Sequence, residues 1–268
     1  MSLLQNSNLG QNSRSCHCGQ TFANRLLEGV CRLAKVCPHC QNHQILPPKR
    51  ILQEALTIGA RGSLLSQAQV REVEREMSVF HPHISFLPTW VVTTGDQDQT
   101  TSLRRLEKTD FFTKEIDEGL LKGNFRIGVH AAKDLPEPLT PGLKMVALTK
   151  GVDSRDSLVL RAGEAIETLS RGSRIGTSSE RRQKAIEALC PGCVVVDIRG
   201  TIEKRLQYLF SHAVDGVVIA EAALIRLQLT HLTRVFLEGP VAPLQGRLAV
   251  VAREEDAEMA TMFRCIDA

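Results

Sequence analysis

From Leu56 onward, short apolar runs alternate with longer segments whose apolar residues recur at helical spacing. Short apolar runs bounded by turn residues are typical of buried strands, whereas one apolar face sustained over several turns is typical of a helix. The first half is predicted to contain strands at 56–60, 84–92 and 127–129 and helices at 63–77 and 113–121. This β-α-β-α-β order indicates a sheet covered by helices.

The same alternation continues in the second half of the chain. Strands are predicted at 157–160, 174–175, 194–198 and 216–220, and helices at 201–210 and from a cap at Ser178 or Ser179 to Leu189. The chain is therefore predicted to be an α/β protein with two α/β units and a cleft between them. Ligands of such sheets bind where strands end and helices begin.

The overall composition agrees with this prediction and narrows the class of protein. The 268 residues, 43% of them hydrophobic, are enough for two domains of roughly 100–200 residues each. No apolar run reaches the roughly 18 residues of a membrane span, and residues 1–10 lack the charged start and apolar core of a secretory signal. We therefore expect a cytoplasmic protein without a membrane partner.

The first 50 residues differ in composition from the rest of the chain. They carry six Lys or Arg and one acid, Glu28, a balance of +5; since the whole chain has a net charge of +3, residues 51–268 carry −2. Five of the eight cysteines also lie there, and Pro47-Pro48-Lys49-Arg50 marks the boundary. This extension has one Phe, no Trp or Tyr and no dense basic patch, so no nucleic-acid partner is expected.

Two closely spaced thiol pairs in the extension predict a zinc-ribbon-like site. Cys16 and Cys18 are followed by Cys37 and Cys40, and four thiolates can close a tetrahedral zinc site at about 2.3 Å. The first pair has one intervening residue rather than the usual two. The alternative is a leader whose thiols stay reduced in the cytosol.

A third closely spaced pair lies in the second half, at Cys190-Pro191-Gly192-Cys193. Its spacing is also that of a redox or metal half-site. Because a Pro-Gly turn followed by an apolar strand is ordinary structure, we interpret these residues as two semi-buried thiols.

Residues that can carry chemistry follow the predicted strands. Strand 127–129 runs into His130-Ala131-Ala132-Lys133-Asp134-Leu135-Pro136. Proline disfavours helical backbone at the residue before it, so the chain is expected to turn after Lys133 and Asp134 and to leave both side chains at the loop. The alternative interpretation is a solvated turn with a surface ion pair.

Arginines and small hydroxyl residues follow the other strands in the same way. They are Arg61 and Ser63; Thr177, Ser178, Ser179, Arg181 and Arg182; Arg199 and Arg205; and Arg226. A guanidinium can bind a carboxylate through two parallel hydrogen bonds, and the start of a helix favours an anion. We therefore predict a polyanionic ligand. Phosphate competes with carboxylate as its chemical class, but the chain has no Gly-x-x-x-x-Gly-Lys-Ser/Thr loop.

These loops contain motifs whose order resembles that of the hydroxymethylbilane synthase (porphobilinogen deaminase) family. The motifs are Ile58-Gly59-Ala60-Arg61-Gly62-Ser63, Thr94-Gly95-Asp96, Phe112-Thr113-Lys114-Glu115, Val129-His130-Ala131-Ala132-Lys133-Asp134-Leu135-Pro136, Ile175-Gly176-Thr177-Ser178-Ser179-Glu180-Arg181-Arg182, Ile198-Arg199-Gly200-Thr201, Arg205-Leu206, Asp215-Gly216-Val217-Val218-Ile219-Ala220 and Gln245-Gly246. The resemblance runs from Leu56 to about Arg253.

The resemblance implies an enzyme of haem biosynthesis that joins four porphobilinogen molecules head to tail and releases ammonia each time. It implies that Asp134 is the catalytic carboxylate, with Lys133 beside it. The residues that it implies as contacts to substrate or cofactor are Arg61, Ser63, Arg105, Thr177, Ser178, Ser179, Arg181, Arg182, Arg199, Gly200, Arg205, Arg226 and Gln245. Arg105 falls near the family's mobile lid loop.

The resemblance also implies two periplasmic-binding-protein-like α/β domains and a dipyrromethane cofactor. The predicted domains are the cysteine-rich extension at 1–50, a first α/β domain at 51–148 with 247–268, and a second at 149–246. The family's third domain, which carries the cysteine that anchors the dipyrromethane, is expected to be absent, because the chain stops at Ala268. No cysteine of this chain, Cys265 included, is assigned as the attachment residue.

Three functions follow as alternatives from these observations. The first is an active deaminase, expected to be a monomer, that uses an unusual or a freely bound primer. The second is a non-catalytic protein that binds porphobilinogen or other pyrrole carboxylates. The third is a solute-binding relative, suggested by the two-domain architecture alone. Retention of Asp134 favours the enzyme, because a carboxylate binder does not need an acid in its cleft.

Overall fold

The computed structural model describes residues 54–98 and 109–268, which belong to a compact unit spanning residues 51–268. The predicted zinc ligands Cys16, Cys18, Cys37 and Cys40 lie outside the described residues, and so does Arg105. Within the described ranges, no helix combines the length and the apolar character needed to cross a membrane.

The first sheet is built from both ends of this unit. Its strands are β1 (Glu54–Arg61), β2 (Ile84–Val91), β3 (Ile127–Ala131), β4 (Leu143–Leu148) and β10 (Leu248–Arg253). They lie in the order β2-β1-β3-β10-β4. β1 pairs in parallel with β2 and β3, with Ile58 opposite Ile127, whereas β10 is antiparallel to β3 and β4. The accompanying helices are α1 (Leu64–Ser78), α2 (Thr94–Gln97), α3 (Lys114–Leu121) and α7 (Ala257–Met262).

The second sheet uses only the middle of the chain. Its strands are β5 (Asp156–Val159), β6 (Arg174–Gly176), β7 (Val194–Val196), β8 (Gly216–Ala220) and β9 (Arg234–Phe236), and its helices are α4 (Glu180–Leu189), α5 (Ile202–Phe210) and α6 (Glu221–Arg226). The strand order is β7-β6-β8-β5-β9. β6 is parallel to β7 and β8, and β5 is antiparallel to β8 and β9.

The predicted α/β fold class is confirmed by these two helix-covered sheets. The strands and helices predicted from the pattern are all present, with ends that shift by one or two residues. The short strands β4, β9 and β10 were not predicted, because a short apolar run does not by itself distinguish a strand from a buried loop or helix segment. The division of residues 51–268 into two domains stays a prediction.

Both faces of the first sheet are packed. On one face, Ile58, Ile127 and Val250 form a core with Phe263, each 0% exposed. The next residue of β10, Val251, belongs to a separate cluster under α3, because successive side chains of a strand point to opposite faces. This two-sided burial explains why β3 and β10 are almost entirely apolar.

The turn after β3 has the predicted position. Ala132–Asp134 form one 3-10 turn, and Leu135 is extended, with φ −70° and ψ 142°, as expected before proline. The amide of Ala132 donates to the carbonyl oxygen of Arg247 at 3.0 Å. The turn is therefore anchored to the segment that leads into β10.

Hydroxyl side chains cap the helices that begin at the strand exits. Ser63 accepts a hydrogen bond from the amide of Ser66 at 3.2 Å at the start of α1. Ser179 rather than Ser178 caps α4, since its hydroxyl accepts from the amide of Arg182 at 3.5 Å. Ser178 instead donates to the carbonyl oxygen of Ile198. Each cap satisfies a backbone N–H that the helix leaves without a partner.

Cys190 and Cys193 form a disulfide, so the prediction of two semi-buried thiols is wrong. Gly192 adopts a φ of +100°, and the amide of Cys193 donates to the carbonyl of Cys190 at 3.1 Å. This tight turn brings the two Cα atoms to 5.7 Å, which is within disulfide range. The third described cysteine, Cys265, is a free thiol that packs against Met77.

Candidate active site

A cavity of about 880 Å³ lies between the loops that follow the strands of the two sheets. Its lining includes most of the predicted site residues: Arg61, Ser63, Lys133, Asp134, Ser178, Ser179, Arg181, Arg182, Arg199, Gly200, Arg205, Arg226 and Gln245. The lining holds eight Lys or Arg side chains against three Asp or Glu. The cavity therefore has a strongly positive wall.

One predicted site residue does not reach this cavity. Thr177 is 0% exposed, and its hydroxyl accepts from the amide of Ser179 at 3.3 Å. Side chains alternate between the two faces at the end of β6, so Thr177 points toward the core rather than toward the cavity. Its hydrogen bond stabilises the loop before α4.

Asp134 presents a carboxylate without a partner to the cavity. Its side chain is exposed, lines the cavity and accepts no hydrogen bond or ion pair from the residues that the structure describes. A carboxylate placed among cations and not neutralised by one of them is available to a ligand. It can hold N–H donors and stabilise positive charge that develops beside it.

Lys133 lies beside Asp134 but is directed differently. Its Nζ donates to Oε1 of Gln245 at 3.2 Å. Burial lowers the pKa of Lys133 to about 8; the charge of Asp134 opposes this decrease, and that of Arg182 adds to it. The ammonium group is therefore charged at neutral pH and titrates just above it.

Arg61, the last residue of β1, is held by Asp96. Its Nε donates to Asp96 Oδ1 at 3.2 Å, its Nη2 forms an ion pair with the same oxygen, and its guanidinium carbon lies 4.5 Å from the centre of the Phe112 ring. Burial alone would raise the pKa of Asp96, but the hydrogen bond and charge of Arg61 and the hydrogen bonds of Thr93 lower it. Arg61 is thus fixed at the cavity wall.

The two arginines at the start of α4 share one carboxylate, that of Asp156. Nη1 of Arg181 donates to Asp156 Oδ2 at 2.7 Å, and Nη2 of Arg182 donates to Asp156 Oδ1 at 2.6 Å. Burial favours protonation of Asp156, but the charges and hydrogen bonds of Arg182 and Arg181 outweigh it and hold its pKa below the usual value. Sequence reasoning missed Asp156, because it begins an apolar strand and belongs to no recognisable motif.

Arg226 is bound by a carboxylate from a helix that accompanies the first sheet. Its Nε and Nη2 donate to the two oxygens of Glu72 in α1, each at 2.8 Å, and Nη2 also donates to the carbonyl oxygen of Gly246 at 2.8 Å. The side chains of Arg226 and Glu72 are only 4% and 15% exposed. This buried pair ties α6 to α1 at the edge of the cavity.

Arg205 lines the cavity without a direct ion pair to a described carboxylate. Its Nε donates to the carbonyl oxygen of Gly200 at 3.0 Å, and none of the described carboxylates pairs with it. Burial, and then the charges of Arg182 and Arg199, lower the pKa of Arg205 to about 10. The charges of Asp134 and Asp197 oppose this decrease without a direct hydrogen bond, so the half-buried guanidinium can still bind a ligand carboxylate.

His130 is a buried lining residue that sequence reasoning did not assign. It is 6% exposed, and its Nε2 has no hydrogen-bond partner among the described residues. Burial, aided by the charge of Arg61, lowers the pKa of His130 to about 4. The imidazole is therefore neutral at physiological pH and adds no charge to the cavity.

The described part of the chain contains no cluster of three or more His, Cys, Asp or Glu arranged to hold a metal ion. What its side chains form is a cleft at the carboxyl ends of parallel strands, with a mainly cationic wall and the carboxylate of Asp134 beside Lys133. The fold and site together define an α/β cleft protein whose cavity is lined mainly by cationic side chains.

The comparisons with known proteins identify the family. Residues 56–261 match the family model described as porphobilinogen deaminase, dipyromethane cofactor binding domain. A probable porphobilinogen deaminase of Chlamydia muridarum is 38% identical over 208 residues, covering 78% of this chain and 85% of the relative. The porphobilinogen deaminase of Deinococcus radiodurans is 38% identical over 207 residues, covering 75% of this chain and 67% of the relative. The chain belongs to the porphobilinogen deaminase family.

A solved structure supports the predicted fold type. The methionine-binding protein MetQ superposes with a TM-score of 0.50 at 12% sequence identity, covering 78% of this chain and 88% of its own. At this identity the likeness concerns the fold alone.

Proposed function

We propose that this chain is a hydroxymethylbilane synthase, which condenses four porphobilinogen units head to tail and releases one ammonia for each unit. The observation that carries the proposal is the Asp134 carboxylate, which accepts no hydrogen bond from the described residues and lines a cavity that holds eight Lys or Arg side chains. Family membership supports the same reaction.

The proposed reaction breaks a carbon–nitrogen bond and forms a carbon–carbon bond. The aminomethyl group, protonated as an ammonium, leaves as ammonia with the bonding electrons, which leaves a cation delocalised over the substrate pyrrole. The pyrrole carbon at the end of the growing chain attacks this cation and then loses its proton. Asp134 is suited to hold the pyrrole N–H groups and to stabilise the cation, because its negative charge has no other partner.

The cationic residues bind the acetate and propionate groups that every pyrrole unit brings. Arg205 is one candidate, because none of the described carboxylates accepts a hydrogen bond from it. Arg61, Arg182 and Arg226 already bind carboxylates of the chain, which holds their guanidinium groups in place before the substrate arrives. Such preorganisation lowers the cost of ordering side chains on binding.

The residues around the cavity also fit a dipyrromethane cofactor. Its size and its excess of cationic donors suit a two-ring molecule with several carboxylates, and the residues proposed to hold it are Ser63, Lys133, Ser179 and Arg181. When bound, a dipyrromethane supplies the pyrrole carbon to which the first substrate unit is joined. None of the three described cysteines lines the cavity, so we assign none of them as its attachment residue.

The proposed function is tested by two measurements on the full chain. Intact-mass spectrometry should show whether the purified protein carries a covalent dipyrromethane, and an ammonia-release assay should show turnover of porphobilinogen. Protein that binds porphobilinogen without releasing ammonia would instead be the non-catalytic binding protein, and the proposal would be wrong.

Two further properties stay proposals. Zinc binding by Cys16, Cys18, Cys37 and Cys40 is supported by their spacing alone; elemental analysis of the full chain should find zinc that a Cys37→Ser variant loses. A monomer is supported by a cavity wall that residues of one chain supply from both sheets, and sedimentation equilibrium tests it.

A further inference from the structure

A buried carboxylate behind the cavity wall connects the two sheets. Asp156 is 2% exposed and lines no part of the cavity. Besides the two arginines of α4, it binds Gln245, whose Nε2 donates to Asp156 Oδ1 at 3.0 Å. All the hydrogen bonds to the Asp156 carboxylate therefore come from residues that do line the cavity.

Gln245 links Asp156 to Lys133 through hydrogen bonds of its side-chain amide. Its Nε2 also donates to the carbonyl oxygen of Ser154 at 2.7 Å, which sets the orientation of the amide. Oε1 of Gln245 is thereby left facing Lys133, whose Nζ donates to it at 3.2 Å. A continuous chain of hydrogen bonds thus runs from the second sheet to the turn that carries the proposed catalytic carboxylate.

We propose that Asp156 is a positioning residue for the reaction: it holds Arg181 and Arg182 where substrate carboxylates bind and, through Gln245, it places the ammonium group of Lys133. The inference deepens the proposed function and rests on it for the identity of the substrate.

The hydrogen bonds of Arg181 indicate that Asp156 positions this arginine for a ligand and does not serve only the stability of the fold. Only its Nη1 is engaged, by Asp156 and by the carbonyl oxygen of Pro240 at 2.8 Å. Its Nε and Nη2 donate to no group among the described residues, although the side chain lines the cavity. Asp156 therefore fixes the guanidinium by one nitrogen and leaves two free for a ligand carboxylate.

The charge of Asp156 also acts on Lys133. The negative charge raises the pKa of Lys133 and so opposes the decrease that burial causes. Removing this charge while keeping the shape should therefore release the ammonium proton at lower pH. A residue that served only the packing of β5 would have no such effect.

The test is Asp156→Asn, which keeps the size of the side chain and one oxygen acceptor. The pKa of Lys133 is measured by NMR of ¹³C-labelled lysine in the full chain, with the resonance assigned by its loss in Lys133→Arg. We expect the midpoint to move to lower pH by about half a unit or more. In steady-state kinetics with porphobilinogen we expect kcat to fall at least about tenfold while KM changes less than about threefold. The reason is that the cationic side chains stay in the cavity but lose the positions that the reaction needs.

The matched control is Glu221→Gln. Glu221 is also 2% exposed and lies in the part of the chain that contains the second sheet. It binds Arg234 at 2.8 Å but does not line the cavity. It should lose stability, as a broken buried pair does, and leave both the Lys133 titration and the kinetic constants unchanged.

An unchanged Lys133 midpoint in folded Asp156→Asn, or an unchanged kcat, overturns the inference. If that variant does not fold, Gln245→Met breaks the link to Lys133 and leaves the arginine pairs of Asp156; it should lower both the midpoint and kcat, and no change in either overturns the inference. The NMR titration needs no turnover. Failure of the proposed function, seen as absent ammonia release, is therefore distinguishable from failure of the Asp156 link.

Discussion

At the scale of single residues, the Asp134 carboxylate lies in a cavity where several of the cations already bind carboxylates of the chain. Asp134 has no partner among the described residues, whereas Arg61, Arg182 and Arg226 each bind a carboxylate of the chain. The guanidinium of Arg205 instead donates to a backbone carbonyl oxygen, that of Gly200. These charged side chains are thus held in position before any ligand is present. Burying several ion pairs for this purpose costs free energy of folding.

Replacing the free carboxylate should abolish most turnover without removing the binding site. Asp134→Asn keeps the side-chain volume but removes the charge that stabilises the developing cation, so we expect kcat to fall by about 100-fold or more. Steady-state ammonia release measures this. Glu203→Gln is the matched control, because Glu203 lines the same cavity from α5. Equal losses in the two variants would contradict the role of Asp134.

The pH dependence should report Lys133. Its pKa is about 8, so above pH 8 the amine becomes neutral and binds carboxylates less well; kcat/KM should therefore fall on the alkaline side from about that pH. Lys133→Arg keeps the charge and should move this limb to higher pH. The wild type and the variant act on the same substrate, so the substrate's own amine affects both pH profiles equally. An identical alkaline limb in the two proteins would therefore show that Lys133 does not control it.

At the scale of elements, the site depends on how closely α3 approaches the first sheet. Phe125 is 3% exposed and its ring fills the space beside Gly59 of β1 and Gly119 of α3. A side chain at either glycine would overlap that ring. The close approach fixes the start of β3, and β3 carries the turn with Lys133 and Asp134.

Gly119→Ala should therefore destabilise the protein, although alanine is the better helix former by about 0.5–1 kcal/mol. The new methyl group would overlap the ring of Phe125, and overpacking of a core costs about 1–3 kcal/mol. Urea denaturation measures the loss. In a Phe125→Leu background the same substitution should cost less, and an equal cost in both backgrounds would locate its cause elsewhere.

At the scale of the whole molecule, buried polar links join the two sheets across the cavity. Glu72 in α1 pairs with Arg226 in α6, and Lys133 reaches Gln245. The cavity is thus closed by ion pairs and hydrogen bonds from both sides, and these links set the distance between its walls.

Breaking the link between α1 and α6 should weaken the whole unit. Glu72→Gln leaves the buried guanidinium of Arg226 without an anion, which costs about 3–5 kcal/mol. Thermal unfolding should show a clear decrease in Tm. Glu118→Gln removes an exposed pair with Lys122 on α3 and should leave Tm unchanged; similar decreases in both variants would mean that burial of the pair is not what matters.

The sequence alone was sufficient for the fold class and for most of the candidate site. Helical and strand periods are local properties, so the elements around Arg61, Lys133 and Ser179 were predicted close to their observed ends. Because carboxyl ends of parallel strands meet at one edge, residues after different strands could be expected to share a cavity. The described members of that set do so, except Thr177.

Tertiary structure alone decided which charges are free. Asp156, Glu72 and Asp96 neutralise cavity arginines from positions 25 to 154 residues away in the chain, and no periodicity or motif shows such a pairing. It also decided that Cys190 and Cys193 form a disulfide and that the Phe125 ring packs against Gly59 of a distant strand. The physical reason is the same in each case: local patterns follow backbone geometry, whereas ion pairing and packing depend on three-dimensional neighbours that the chain brings together only by folding.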